Sequence, residues 1–164
     1  MFTLKVISRD AIPRSLERAE RYRVLNEPAE AESICLDVLN VDPGNQEALV
    51  TLLLAITDQF EAGVSPTQAR ELLPRLESEY ERAYYDGLIS ERRAKARLKL
   101  DRPGAGHAAY EWFTEAMARY EVAERLKPAG NDDASLRWNT CARIMMRNPR
   151  IQPAPDERMD LPLE

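Results

Sequence analysis

Two hydrophobic patterns stand out along the chain. Residues 48–56, Ala-Leu-Val-Thr-Leu-Leu-Leu-Ala-Ile, are apolar almost all round, which predicts a helix packed on both sides. Residues 14–23 set Arg14, Glu17, Arg18, Glu20, Arg21 and Arg23 around a narrow apolar stripe, which predicts a solvent-rich helix at one end of a stack. Elsewhere, stretches rich in Ala, Leu, Glu and Arg lie between clear breakers: Asn26-Glu27-Pro28, Asp42-Pro43-Gly44-Asn45, residues 63–66, Pro103-Gly104-Ala105-Gly106 and Pro128-Ala129-Gly130-Asn131. No segment sustains strand alternation between turns; Phe2, Leu4 and Val6 come nearest and have no partner strand. The pattern predicts an all-α chain.

Boundary residues set the individual helices. Asp10 is the expected cap of the first, with Pro13 in its opening turn. Pro28 opens a second through Leu39, and Asn45 caps a third from Gln46 to about Phe60. Ser65-Pro66 starts a fourth, which Pro74 breaks or kinks near Leu73. A long helix then runs to about Leu100, another from about His107 to Leu126, and a last from Asp132 or Asp133 to Met146. Residues 1–11 read as an N-terminal arm and 12–147 as the helical domain. Residues 148–164, with four prolines and no apolar period, read as an extended or disordered tail.

Spacing within the helices repeats. Ala31, Cys35, Val38 and Pro43 are separated by four, three and five residues, and so are Ala116, Tyr120, Ala123 and Pro128. Small residues seven apart let a neighbouring helix approach, the larger one between them fills the gap, and proline stops the helix. On these residues, with Tyr22 preceding them, the chain resembles the tetratricopeptide repeat (TPR) family, whose unit of about 34 residues is a pair of antiparallel helices. Cys35 stands where that family prefers an aromatic and Val38 where it prefers alanine. The resemblance implies a right-handed helical-repeat array of about three helix pairs. Its middle unit is irregular, because 85 residues separate Pro43 from Pro128 where two units would take about 68. Leu16, Glu20, Val50 and Leu54 are the groove-facing candidates of the first two units. None is basic or an amide, which speaks against the family's clamp for a C-terminal carboxylate.

Composition narrows the function classes. A net charge of -5 over 164 residues opposes general nucleic-acid binding. No apolar run approaches a membrane span, and the first residues lack a secretory signal pattern. Two cysteines, Cys35 and Cys141, are too few for a disulfide scaffold and fit a reducing, cytoplasmic setting. The single histidine, His107, reads as a helix-start residue, and neither cysteine has a ligand-spaced partner for zinc. Gly104-Ala105-Gly106 lacks the third glycine and preceding strand of a dinucleotide loop. Paired carboxylates such as Glu30/Glu32 and Asp132/Asp133 suit solvated helices and caps. The expectation is no catalytic residue, no cofactor and no metal.

Two clusters carry the binding expectation. Arg92, Lys95 and Lys99 share one helical face and Arg93 and Arg97 another, which reads either as a patch for an acidic partner or a phosphate group, or as a solvated face supported by Glu91–Lys95 pairing. Arg137, Trp138, Thr140 and Arg143 lie on the last helix, where arginine and tryptophan either anchor a bound peptide or leave Trp138 in the core against Tyr120 and Trp112. The chain is therefore expected to be a non-catalytic scaffold binding a protein or peptide through a helical groove, with neither nucleic acid nor membrane as partner and a homo-oligomer possible. The alternatives are a helical small-ligand protein or enzyme with its site in residues 60–106, and a structural subunit that self-associates through Ile144-Met145-Met146.

Overall fold

A computed structural model describes residues 1–155. Seven α-helices carry the fold: α1 (Ile12–Val24), α2 (Pro28–Val41), α3 (Gln46–Thr57), α4 (Pro66–Arg70), α5 (Glu79–Lys99), α6 (Ala105–Leu126) and α7 (Asp133–Arg147). No strand occurs among the described residues; Phe2, Leu4 and Val6 lie outside any element and are exposed.

Most predicted boundaries have a visible cause. The Asn45 side chain accepts the Ala48 amide at 2.9 Å, and Ser65 and Ser78 accept amides at the starts of α4 and α5. Asn26 takes the left-handed conformation at φ 61 and closes the α1–α2 turn, where the Glu27 amide reaches the Tyr22 carbonyl at 2.8 Å. Pro74 falls in a single 3-10 turn, Leu73–Arg75, between α4 and α5.

Several expectations need correction. Asp10 caps nothing: it lies inside a 3-10 turn, Arg9–Ala11, that runs straight into α1. The third helix stops at Thr57, and Phe60 opens a separate 3-10 turn closed by Gly63 at φ 91. The tail does not leave the domain at residue 148. Ile151 is buried in the core, and the Gln152 carbonyl lies 2.9 Å from His107 Nδ1. Gly106 makes this docking possible, because a Cβ there would stand 2.0 Å from the Arg150 carbonyl oxygen. The expectation for residues 156–164 falls outside the described residues.

The helices enclose two cores. α1–α3 with α4 and one side of α5 bury Leu16, Leu49, Leu52, Leu53, Ile56 and their neighbours. α3 is buried nearly all round, as its pattern requires. α5–α7 bury Phe113, Tyr120, Cys141 and Ile151 around the small residues Ala109, Ala116 and Ala123. α5 is the shared wall, giving Ile89 and Ala96 to the first core and Ala94 to the second. It lies so close to α6 that a Cβ on Gly87 would be 2.7 Å from the Tyr120 ring.

Candidate functional site

Polar side chains on α1, α3, α5 and α7 reach one another across the molecule. Thr51 of α3 donates to Glu20 of α1 at 3.0 Å, and Arg23 of α1 pairs with Asp58, just past α3, at 2.8 Å. Arg92 of α5 takes the other oxygen of Asp58 and donates to Thr57 at 2.9 Å. One residue earlier on α5, Glu91 receives Arg137 of α7 at 3.2 Å. These contacts form a ladder of charges that steps from one odd-numbered helix to the next.

Glu91 is the buried end of that ladder. Its side chain has no exposed area, yet it stays charged because every oxygen is served. Lys95 pairs with Oε1 one turn away, Arg137 reaches the same oxygen, and the Tyr120 hydroxyl donates to Oε2 at 2.6 Å. Burial pushes the Glu91 carboxyl up. The hydrogen bonds from Lys95 and Tyr120, with the charges of Lys95 and Arg137, outweigh it and hold the carboxyl below its ordinary range. Burial and then the facing Glu91 charge raise Tyr120 far above the usual phenol, and the same two causes push the Cys141 thiol up to about 12. Arg137 is raised despite its burial, chiefly by Glu91. All four groups therefore hold fixed protonation states near neutral pH.

The expected binding residues divide. Arg92, Lys95 and Arg137, from two separate sequence clusters, line one cavity of about 250 Å³ between the end of α3, α5 and α7. Arg93 points elsewhere: its guanidinium lies 4.0 Å above the Trp112 ring. Trp138 is half-buried against the second core and donates from its indole to Glu121 at 3.1 Å. Thr140 donates to the Leu136 carbonyl within its own helix, and Arg143 is exposed. Ile144 and Met145 pack partly into the core, while Met146 is exposed.

Two sequence expectations fail here. Leu16 is not groove-facing but 2% exposed in the first core, whereas Glu20, Val50 and Leu54 are half-buried. The Glu91–Lys95 pair forms, but it does not decorate a solvated face, because Glu91 lies wholly inside. Sequence reasoning also missed Tyr120 as the partner of Glu91 and Asp58 as the partner of Arg92. Their contacts span 29 and 34 positions, beyond any local pattern. Among the described residues no three His, Cys, Asp or Glu side chains converge as metal ligands, and no helix is long and apolar enough to cross a membrane.

Comparison with family models, with curated proteins and with solved structures gives no match for this chain.

Proposed function

We propose that this protein is a non-catalytic, TPR-like helical scaffold that binds a protein partner through the side formed by α1, α3, α5 and α7. The observation that supports this reading is the ladder from Glu20 and Arg23 through Asp58 and Arg92 to Glu91 and Arg137, which links side chains of the odd-numbered helices. A repeat spacing supports it: α1, α3 and α5 begin 34 and then 33 residues apart. The extra residues of the irregular middle are taken up by α5 and α6, which have 21 and 22 residues against 13 and 14 in α1 and α2. Ala31, Cys35 and Val38 on α2, like Ala116, Tyr120 and Ala123 on α6, are all buried, as closely approached second helices of a repeat require.

Partner contact on this side would use Arg92, Lys95, Arg137, Thr140 and Arg143, leaving Arg93 and Trp138 to packing. A photo-crosslinking amino acid placed at Leu54 or Thr140, within the native cell, should give discrete protein adducts. The same group at Leu36 of α2 or Ala118 of α6, both exposed on even-numbered helices, should not. Adducts at Leu36 and Ala118 with none at Leu54 and Thr140 would move the interaction to the opposite side.

A further inference from the structure

The cavity beside Arg92 is one of two that meet at Asp58. The second, of about 280 Å³, is lined by Arg23, Val24, Asn26, Pro28 and the other edge of Asp58. Each is too small for a whole cofactor, which needs roughly 300–1,000 Å³, and suits one or two side chains.

The arginines around them are only partly used. Arg92 spends one nitrogen, Nη1, on Thr57 and Asp58, Arg23 spends Nε on Asp58 and Nη1 on Glu20, and Arg137 spends Nη1 on Glu91 and also bonds Tyr84. A guanidinium offers five N–H donors in a planar fork, so each still has donors for a further acceptor. Their orientation is already fixed by Asp58 and Glu91, and an incoming anion therefore orders little that is not ordered before it arrives. Cations outnumber carboxylates by one along the track: Arg23, Arg92, Lys95, Lys99 and Arg137 face Glu20, Asp58, Glu61 and Glu91. Next to the first cavity, Val24 and Leu25 are exposed at 83% and 59%, an apolar rim that a free inorganic anion has no use for.

We infer that the paired cavities on either side of Asp58 recognise an internal acidic segment of a protein partner, with one carboxylate against Arg92, Lys95 and Arg137, a second against Arg23, and an adjoining apolar side chain on Val24 and Leu25. This rests on the scaffold reading above and names the chemistry of its partner. The segment is internal because it must continue past both cavities, which a chain terminus held at a single carboxylate does not.

The test is a fluorescence-anisotropy titration of the full chain with a short labelled peptide carrying glutamates at alternate positions and one leucine. Its glutamine counterpart and unlabelled inorganic phosphate serve as the other two arms. The acidic peptide should bind, the glutamine peptide should not, and added salt should weaken binding. Arg92→Gln should lower affinity roughly tenfold with an unchanged thermal melt, since Asp58 keeps Arg23. Arg137→Lys, which retains the charge on Glu91 but loses the fork, should also weaken binding and provides a second variant if the first melts early. Equal binding of the glutamine peptide, or unchanged affinity in both variants, overturns the inference. Complete displacement by millimolar phosphate overturns the segment in favour of a small-anion site. Crosslinks at Leu54 and Thr140 without any preference for the acidic peptide would leave the scaffold standing and remove this inference alone.

Discussion

The two cores of this molecule are built on different principles. Around α1–α3 the interior is aliphatic: Leu49, Leu52, Leu53 and Ile56 fill it, and its charges, such as Arg23 and Asp58, stay at the partly solvated edge. Around α5–α7 a charged carboxylate sits inside, tied to one neighbour on its own helix, one on α6 and one on α7. Apolar burial is non-directional and tolerates repacking, so the first core specifies proximity more than orientation. A buried carboxylate is tolerated only when its partners are in place, so the second core specifies where α5, α6 and α7 stand relative to one another. The half with the long helices α5 and α6 is the one pinned by specific polar contacts.

The largest expected effect comes from breaking that pin. Glu91→Ala leaves Lys95, Arg137 and the Tyr120 hydroxyl without their common acceptor, and should cost about 3–5 kcal/mol in denaturant melts at neutral pH. Leu53→Ala, in the aliphatic core, should cost about 2–5 kcal/mol, and the two differ in their pH dependence. The Glu91 carboxyl is held below its ordinary value in the folded state. Its contribution is therefore present above the ordinary carboxylate range and is lost as pH falls through the depressed folded value. The gap between wild type and Glu91→Ala should shrink under acid, while the gap to Leu53→Ala stays constant. Parallel pH profiles for both variants would erase the distinction between the cores.

Gly87→Ala comes next. The added methyl meets the Tyr120 ring and, at 3.2 Å, the Ala116 carbonyl. Forcing α5 from α6 should cost about 1–3 kcal/mol, and because Tyr120 holds Glu91 it should also disturb the charge network. Gly106→Ala should be milder. It pushes the Arg150 backbone off the start of α6 and exposes Ile151, and should be read as faster proteolysis after residue 148 with a melting point lowered by only a few degrees.

What the sequence made legible follows from how local each cause is. Proline, asparagine and glycine act within one turn, so Pro28, Asn45, Ser65-Pro66 and the breakers after Asn26 and Leu100 mark helix ends within a few residues. The small–large–small spacing on α2 and α6 is a property of one helix face, and all six residues are buried. Asp10 misled because capping depends on backbone conformation, and a 3-10 turn leaves no place for an N-cap there. The Glu91–Lys95 spacing is the same whether a pair is solvated or buried. Only Tyr120 and Arg137, brought in by packing of α6 and α7, decide that it is buried. The docked tail was hidden for a similar reason: one isoleucine among prolines has no period, and the signal that marks its seat, Gly106 between Ala105 and His107, reads locally as a loop.

The most direct test of the contrast between the cores is hydrogen exchange, resolved by helix, on the full chain and on Glu91→Gln at neutral pH. The substitution keeps the size of the side chain and removes its charge. Amide protection in α6 and α7 should fall at least roughly tenfold, while α1–α3 keeps wild-type protection. Loss of protection spread evenly over all the helices, or none in α6 and α7, would contradict the role given to Glu91.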